Sequence, residues 1–391
     1  MTRPSLGTLV LLLAWLAVWP AAAGEFVIGY LQLQNDARYG EKRTYARFLT
    51  EPLGRPWSGA RVALREIRYH GAGAGVTFAL KRKKECCAAA LVEAIRALRA
   101  EGVRFFVVDL PAPVLEAVAA DTRDEGVLLL NASARADRLR GEACERHVLH
   151  VVPSRRMLAD ALAQYLAFKR WRDILMLEGP GEEDRALGEA FRAAARKFGL
   201  ETVATRPFVL SNDPRERGRN NVVLLTGKDD YDAVFIADAD GEFARNALYA
   251  TVLPRPVVGA AGLAGVAWHW AWERHGAPQL EGRFETRAGR PMRDFDWAAW
   301  LAVKIVGEAV QRTGTTAFET LRAWVLGPDM VIDSFKGPPS SFRAWNNQLR
   351  QPVLLATQNW VVARAPLEGF EHRSNDLDTL GLDRPESPCR F

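Results

Sequence analysis

No Gly-x-Ser-x-Gly elbow, His-Glu-x-x-His pair or Walker A loop occurs in the sequence. Gly227-Lys228 runs on into Asp229, where a phosphate-binding loop carries Ser or Thr. The commonest hydrolase and nucleotidase chemistries therefore have no residues to work with, and the sequence reads as a protein that is not an enzyme. Cys-x-x-Cys is also missing, which removes thioredoxin-like and zinc-knuckle readings. Beyond residue 23 no apolar run approaches the ~20 residues of a spanning helix, and no repeat of solenoid period is visible. Neither sign of charge dominates, with 52 Lys+Arg against 47 Asp+Glu. The one sharp basic run, Lys81-Arg82-Lys83-Lys84, has no interleaved aromatics. It reads as a solvated loop and not as a nucleic-acid surface.

Cysteine is scarce. Cys86, Cys87, Cys144 and Cys389 are the 4 present, and three pairings are open to them. A ring closed between neighbours is strained, so Cys86 with Cys87 is disfavoured. Cys144 with Cys389, tying the C-terminal segment to the end of the first lobe, is the preferred pairing. Disulfides suit an exported chain, and Met1 to Ala23 has the form of a secretory leader: Arg3, an apolar stretch from Leu6 to Trp19, and Ala21-Ala22-Ala23 before a cut near Gly24 or Glu25. Its apolar stretch is too short to span a bilayer. No cysteine follows it, so the expected product is a free periplasmic protein and not a lipoprotein.

The rest of the chain alternates strand and helix. Glu25 to Leu31 is a first core strand and Val76 to Leu80 a second. Leu91, Ala94, Ile95 and Leu98 fall at helical spacing. Gly102 ends that helix, and Val103 to Leu110 is an unbroken apolar run of the kind a parallel strand buried on both faces requires. A helix around Leu115 and a strand Val127 to Leu130 repeat the unit. His147 to Val152 is extended. Pro153-Ser154 breaks it, with Ser154 a plausible N-cap, and Leu158 to Leu166 is helical. Ile174 to Leu177, Thr202 to Phe208, Ala233 to Ala237 and Pro256 to Gly259 are further strands with helices between them. The fold class is α/β, two doubly wound Rossmann-like lobes joined by a multi-strand hinge. The expected division is lobe 1 at 24–152 plus about 276–330, lobe 2 at 153–275 plus about 331–363, and a polar surface tail at 364–391. Val152 and Pro153 mark a hinge crossing.

Open α/β sheets bind ligands beyond the carboxyl ends of their strands. The residues there are Asn35, Asp36, Asp109, Leu110, Asn131, Ser133, Glu178, Asp184, Asp238 and Asp240, and two facing lobes would bring their loops to one cleft. Trp268, His269 and Trp270 could add an aromatic wall or could pack an inter-lobe connection. Gly179-Pro180-Gly181 follows a strand and opens a helix, but Glu182, Glu183 and Asp184 would repel a pyrophosphate. An acid-capped turn is the better reading than a dinucleotide site. Asp238 to Glu242 resembles half a calcium loop but has Tyr249 where the twelfth position needs Glu, so no metal is assigned. No cofactor is expected.

Several runs carry a resemblance. Ser58-Gly59-Ala60-Arg61-Val62-Ala63-Leu64-Arg65-Glu66-Ile67, Gly102 to Val108, Val152-Pro153-Ser154 with Leu158 to Leu166, and Asp296-Trp297-Ala298-Ala299-Trp300 are similar to stretches of type I periplasmic binding proteins of the branched-chain amino-acid class. Leu158 to Leu166, Trp268-His269-Trp270, Gln348-Leu349-Arg350-Gln351-Pro352, and Leu377 to Gly381 with Asp383 to Ser387 resemble the subgroup found with PQQ-dependent alcohol dehydrogenase systems. The resemblance implies a small-molecule ligand held by hinge closure, an ABC permease as partner and a periplasmic location. It also allows a dehydrogenase as partner, or a sensor or accessory role without transport. One departure stands out. Amino-acid binders of that class have hydroxyls and amides where this chain has Asp109-Leu110-Pro111-Ala112-Pro113. Proline lacks an amide donor and Asp109 would repel a carboxylate, so a neutral or cationic ligand, or an alcohol-derived metabolite, is expected.

Overall fold

The computed structural model describes residues 24–391 apart from 44–48, 51–52 and 212. The expected leader at residues 1–23 lies outside the described residues. Strand β1 (Gly24–Leu33) is followed by a short antiparallel pair, β2 (Lys42–Arg43) and β3 (Leu49–Thr50), and then by α1 (Trp57–Ile67). β4 (Val76–Glu85), α2 (Ala88–Ala100), β5 (Phe105–Asp109), α3 (Ala112–Asp121), β6 (Leu128–Asn131) and β7 (Val148–His150) complete an all-parallel sheet in the order β4-β1-β5-β6-β7. β5 and β6 are buried at every residue, as their unbroken apolar runs require.

Past Val152-Pro153-Ser154 the chain enters α4 (Arg155–Phe168), and the Ser154 hydroxyl accepts from the Met157 amide at 3.3 Å. β8 (Asp173–Glu178), α5 (Glu182–Phe198), β9 (Glu201–Pro207), α6 (Val222–Thr226), β10 (Ala233–Ala237) and β11 (Val257–Gly259) build a second parallel sheet, ordered β11-β10-β8-β9. α4 and α5 cover one face, where Phe191 stacks on Phe235 at 3.8 Å. Phe208 on Phe243, at 4.0 Å, closes the other.

β12 (Ala264–Val266) then leads to α7 (Ala277–Ala288), α8 (Asp294–Thr313) and α9 (Phe318–Leu326), which pack on the first sheet beside α1. α1 and α8 approach closely because Gly59 has no Cβ, which would otherwise lie 2.0 Å from the Asp296 carbonyl oxygen. A hairpin of β13 (Ser341–Phe342) and β14 (Leu349–Arg350) precedes β15 (Val353–Ala356) and β16 (Val361–Ala365), which join β12 in an antiparallel sheet against α4.

Three stretches link the two parallel sheets: 151–154, 267–276 and 327–352. Polar side chains tie them together. Gln351 Nε2 donates to the Val151 carbonyl at 2.7 Å, and its Oε1 accepts from Lys336 Nζ at 2.9 Å. Lys336 also donates to the Ala267 carbonyl and lies 3.8 Å from the centre of the Trp297 ring. Val152 is fully buried, and its carbonyl accepts from Arg140 and Gln348.

Two expectations are corrected. Lys81-Arg82-Lys83-Lys84 is not a loop but the last half of β4, an edge strand on which alternate charged side chains discourage pairing with another chain. The C-terminal segment is not merely a polar surface tail. β16 runs on to Ala365, Leu377 and Leu380 are buried, and buried Asp378 accepts from Arg343 and Arg350 at 2.8 Å. Cys144 and Cys389 form a disulfide, while Cys86 and Cys87 are exposed thiols.

Candidate ligand-binding cleft

The carboxyl edge of the first sheet is organised by Arg38, on a single 3-10 turn (Ala37–Tyr39) that Asp36 caps. Arg38 Nη2 donates to Asp36 Oδ2 at 2.7 Å and to Asp109 Oδ1 at 3.1 Å, and Nη1 donates to Ser133 Oγ at 3.0 Å. Tyr39 Oη donates to Asp109 Oδ1 at 2.7 Å. One guanidinium thus joins the loops after β1, β5 and β6. Burial alone would disfavour its charge, but the hydrogen bond to Asp36 and the nearby negative charge hold it protonated. Burial pushes the Asp109 carboxyl above its ordinary range, with Arg38 opposing. Arg55 and Arg135 flank the group over the rings of Tyr39 and Phe295.

The carboxyl edge of the second sheet is carboxylate-rich. Asp184 Oδ2 accepts from the Gly181 amide at 2.9 Å and Oδ1 from the Ala239 amide at 2.7 Å, so one side chain caps α5 and holds the loop after β10. The acid-capped turn is therefore observed. Asp238 Oδ2 accepts from the amides of Phe243 and Ala244, and Glu178 pairs with Arg192 at 2.7 Å. Asp240 is exposed.

Of the residues selected from sequence, Asp36, Asp109 and Ser133 are brought together, and Asn35 is exposed beside them. Asp184 and Asp238 share a loop region, but both are committed to backbone amides. Three others are buried where they stand. Leu110 is fully buried in the core. Asn131 is fully buried and bonds the backbone of Ser133 and Ala134 and the His150 ring. Trp268 is 2% exposed, with Nε1 donating to Glu281 at 2.9 Å, so it packs the connection and forms no wall. Trp270 is exposed and stacks on His269, whose Nδ1 accepts from the Ala271 amide. Arg38 and Tyr39 were not legible, since they lie in an aperiodic polar segment. A strand-end Asp that burial obliges to find a cation was the only hint.

Two concavities lie elsewhere. One of about 660 Å³ runs between α1 and α7 beside Arg65, Gly282 and Arg287, and one of about 430 Å³ lies beside Cys144, His147 and Phe391. Among the described residues no three His, Cys, Asp or Glu side chains are grouped to hold a metal ion, and no helix is long and apolar enough to cross a membrane.

Two parallel α/β sheets joined by three linking stretches are the architecture of type I periplasmic binding proteins. Residues 52–216 match the family described as periplasmic binding protein. The fold is similar to that of a branched-chain amino acid ABC transporter periplasmic ligand-binding protein from Burkholderia xenovorans LB400, at 12% identity and TM-score 0.70 over 93% of this chain and 98% of that one. It is also similar to an amino acid ABC transporter substrate-binding protein from Pseudomonas fluorescens Pf-5, at 14% identity and TM-score 0.69 over 95% and 100%. A solute-binding protein from R. palustris, solved with benzoate, has 12% identity and TM-score 0.64 over 94% and 100%. The matched family and these neighbours are solute-binding proteins, not enzymes. The search of curated proteins found no match.

Proposed function

We propose that this chain is a periplasmic solute-binding protein that captures a neutral or cationic small molecule between the carboxyl edges of its two parallel sheets. The moving bodies are residues 24–152 with about 276–330, and 153–275 with about 331–363. Closure about Val152-Pro153 and the other two links would be driven by contacts to both. The observation that carries the ligand class is the proline pair at the start of α3. Pro111 and Pro113 offer no amide to a carboxylate. The second edge adds Asp184, Asp238 and Asp240. Delivery to an ABC permease, and a link to PQQ-dependent alcohol oxidation, rest on the sequence resemblance.

One observation favours a second reading. Arg38 already satisfies Asp36, Asp109 and Ser133, which suits an accessory or sensor protein of a periplasmic dehydrogenase that takes no small ligand. Isothermal titration of the mature chain against amino acids, alcohols, aldehydes, PQQ and metal ions separates the cases. Binding of a neutral or cationic solute, with a smaller scattering radius in the complex, is the expected result. Tight binding of leucine, isoleucine or valine would overturn the ligand class. No heat with any solute, together with recovery of a dehydrogenase from periplasm, would establish the second reading.

A further inference from the structure

The two cysteines left outside the disulfide are neighbours in sequence and in space. Cys86 Sγ and Cys87 Sγ lie 3.0 Å apart, and both residues are exposed. They stand where β4 ends and α2 begins, with Cys87 as the N-cap of a 13-residue helix. The preceding Glu85 pairs with Leu33, and its carbonyl accepts from the Gln34 amide at 2.8 Å. This places the thiols on the carboxyl edge of the first sheet, beyond its outermost strand. The same chain holds Cys144 and Cys389 as a disulfide, so the compartment in which it folds oxidises accessible thiols. An exposed pair almost in contact cannot be indifferent to that environment.

We propose that Cys86 and Cys87 form a thiol–disulfide exchange site, whose substrate is a disulfide and whose product is a vicinal disulfide ring. The two sulfurs are not equivalent. Their mutual hydrogen bond holds the Cys86 thiol above its ordinary pKa and draws that of Cys87 below it. The start of α2 also favours a thiolate at Cys87. Cys87 is therefore the attacking sulfur. Its thiolate attacks one sulfur of RS–SR, the Cys87–SR bond forms, and RS⁻ departs. Cys86 then gives up its proton and attacks Cys87 Sγ, the Cys87–SR bond breaks, and a second RS⁻ departs. The two departing thiolates take up the two protons lost by the cysteines. Two thiols are oxidised to one disulfide and one disulfide is reduced to two RSH. Because a ring between neighbours departs from relaxed disulfide geometry, it is easily reduced, and the reaction runs in both directions.

The test uses the purified mature chain in buffers of fixed reduced-to-oxidised glutathione ratio, quenched by alkylation and read by peptide mass spectrometry. In oxidising buffer the Cys86-Cys87 peptide should lose both alkylation sites and two hydrogens, and regain them in reducing buffer. Cys144–Cys389 should stay closed in buffers at least about tenfold more reducing. Cys86→Ser should trap glutathione on Cys87 faster than Cys87→Ser traps it on Cys86, because only Cys87 stands at the start of α2. Both variants keep the disulfide and remove only an exposed sulfur. Two thiols that stay alkylatable at every ratio would overturn the proposal. So would a native chain that accumulates the mixed disulfide without closing the ring.

Discussion

Arg38 and Arg140 are both drawn into the protein, and they are held by different means. Arg38 sits between two carboxylates, whereas fully buried Arg140 has none in contact. Its donors go to the carbonyls of Ala134, Ala136 and Val152 and to the Gln348 side chain, and burial lowers its pKa to about 9. Other buried groups do not keep their charge so readily, and the sign of each sets a pH dependence. Burial raises Asp296 from 3.8 to about 6 against the pull of Arg290. Its contribution is full below about 3.8 and is lost as pH rises through about 6, a swing of about 3 kcal/mol. Burial lowers His147 from 6.5 to about 4. Its contribution is full above 6.5 and is lost as pH falls towards 4, again about 3 kcal/mol. His150 follows His147, and Asp109 and Asp160 follow Asp296. Between pH 6.5 and 4 the two trends oppose each other. In urea unfolding across that window, Asp296→Asn should steepen the loss of stability on acidification and His147→Gln should make it shallower. Variant curves parallel to the parent would rule this out. Of the charged side chains at the cleft, Asp36 and Asp109 were legible because strand-end carboxylates follow from the fold class. The cation that binds them follows from a loop conformation that no periodicity encodes.

The pairing of α1 with α8 decides between two effects of one substitution. An alanine inside a helix ordinarily gains about 1 kcal/mol over glycine. At Gly59 a Cβ would meet the Asp296 carbonyl at 2.0 Å, a backbone atom that cannot step aside, so Gly59→Ala should cost about 2 kcal/mol. Gly282 on α7 has nothing within 4 Å of where its Cβ would stand, and Gly282→Ala should gain about 1 kcal/mol. Chemical denaturation of the two variants reads both, and a gain at Gly59 would show that the helices separate freely. Most elements were readable because a buried parallel strand must be apolar throughout and its helices must be amphipathic. β4 was cut short at Leu80 in the sequence reading because its second half is basic, and an edge strand needs apolar residues on fewer sides. α7 went unseen because its exposed stripe, Gln279, Gly282, Arg283, Thr286 and Arg287, leaves only Ala277, Leu280 and Phe284 as apolar buried positions.

For the whole molecule, the alternation of helix and strand made two parallel sheets legible. The tertiary role of the last residues was not, since a segment that docks through Asp378, Arg343 and backbone groups reads as polar and unstructured. The disulfide closes a loop of 245 residues. By the chain-entropy argument its loss should cost roughly 5 kcal/mol. Cys144→Ser and Cys389→Ser should each lower the thermal midpoint by the same amount, and unequal shifts would point to contacts of the individual side chains instead. The path of the segment adds a mechanical consequence. The Gly381 amide is bound to Asp160 on α4, and Lys197 on α5 donates to the Thr379 and Gly381 carbonyls, so this point is anchored to the helices of the second sheet. Eight residues later Cys389 is bonded to Cys144, which stands between β6 and β7 of the first sheet. A strand of that length reaches roughly 28 Å when fully drawn out. On the hinge motion proposed above, the C-terminus would act as a leash with one-way action: slack while the two halves approach, taut when they part.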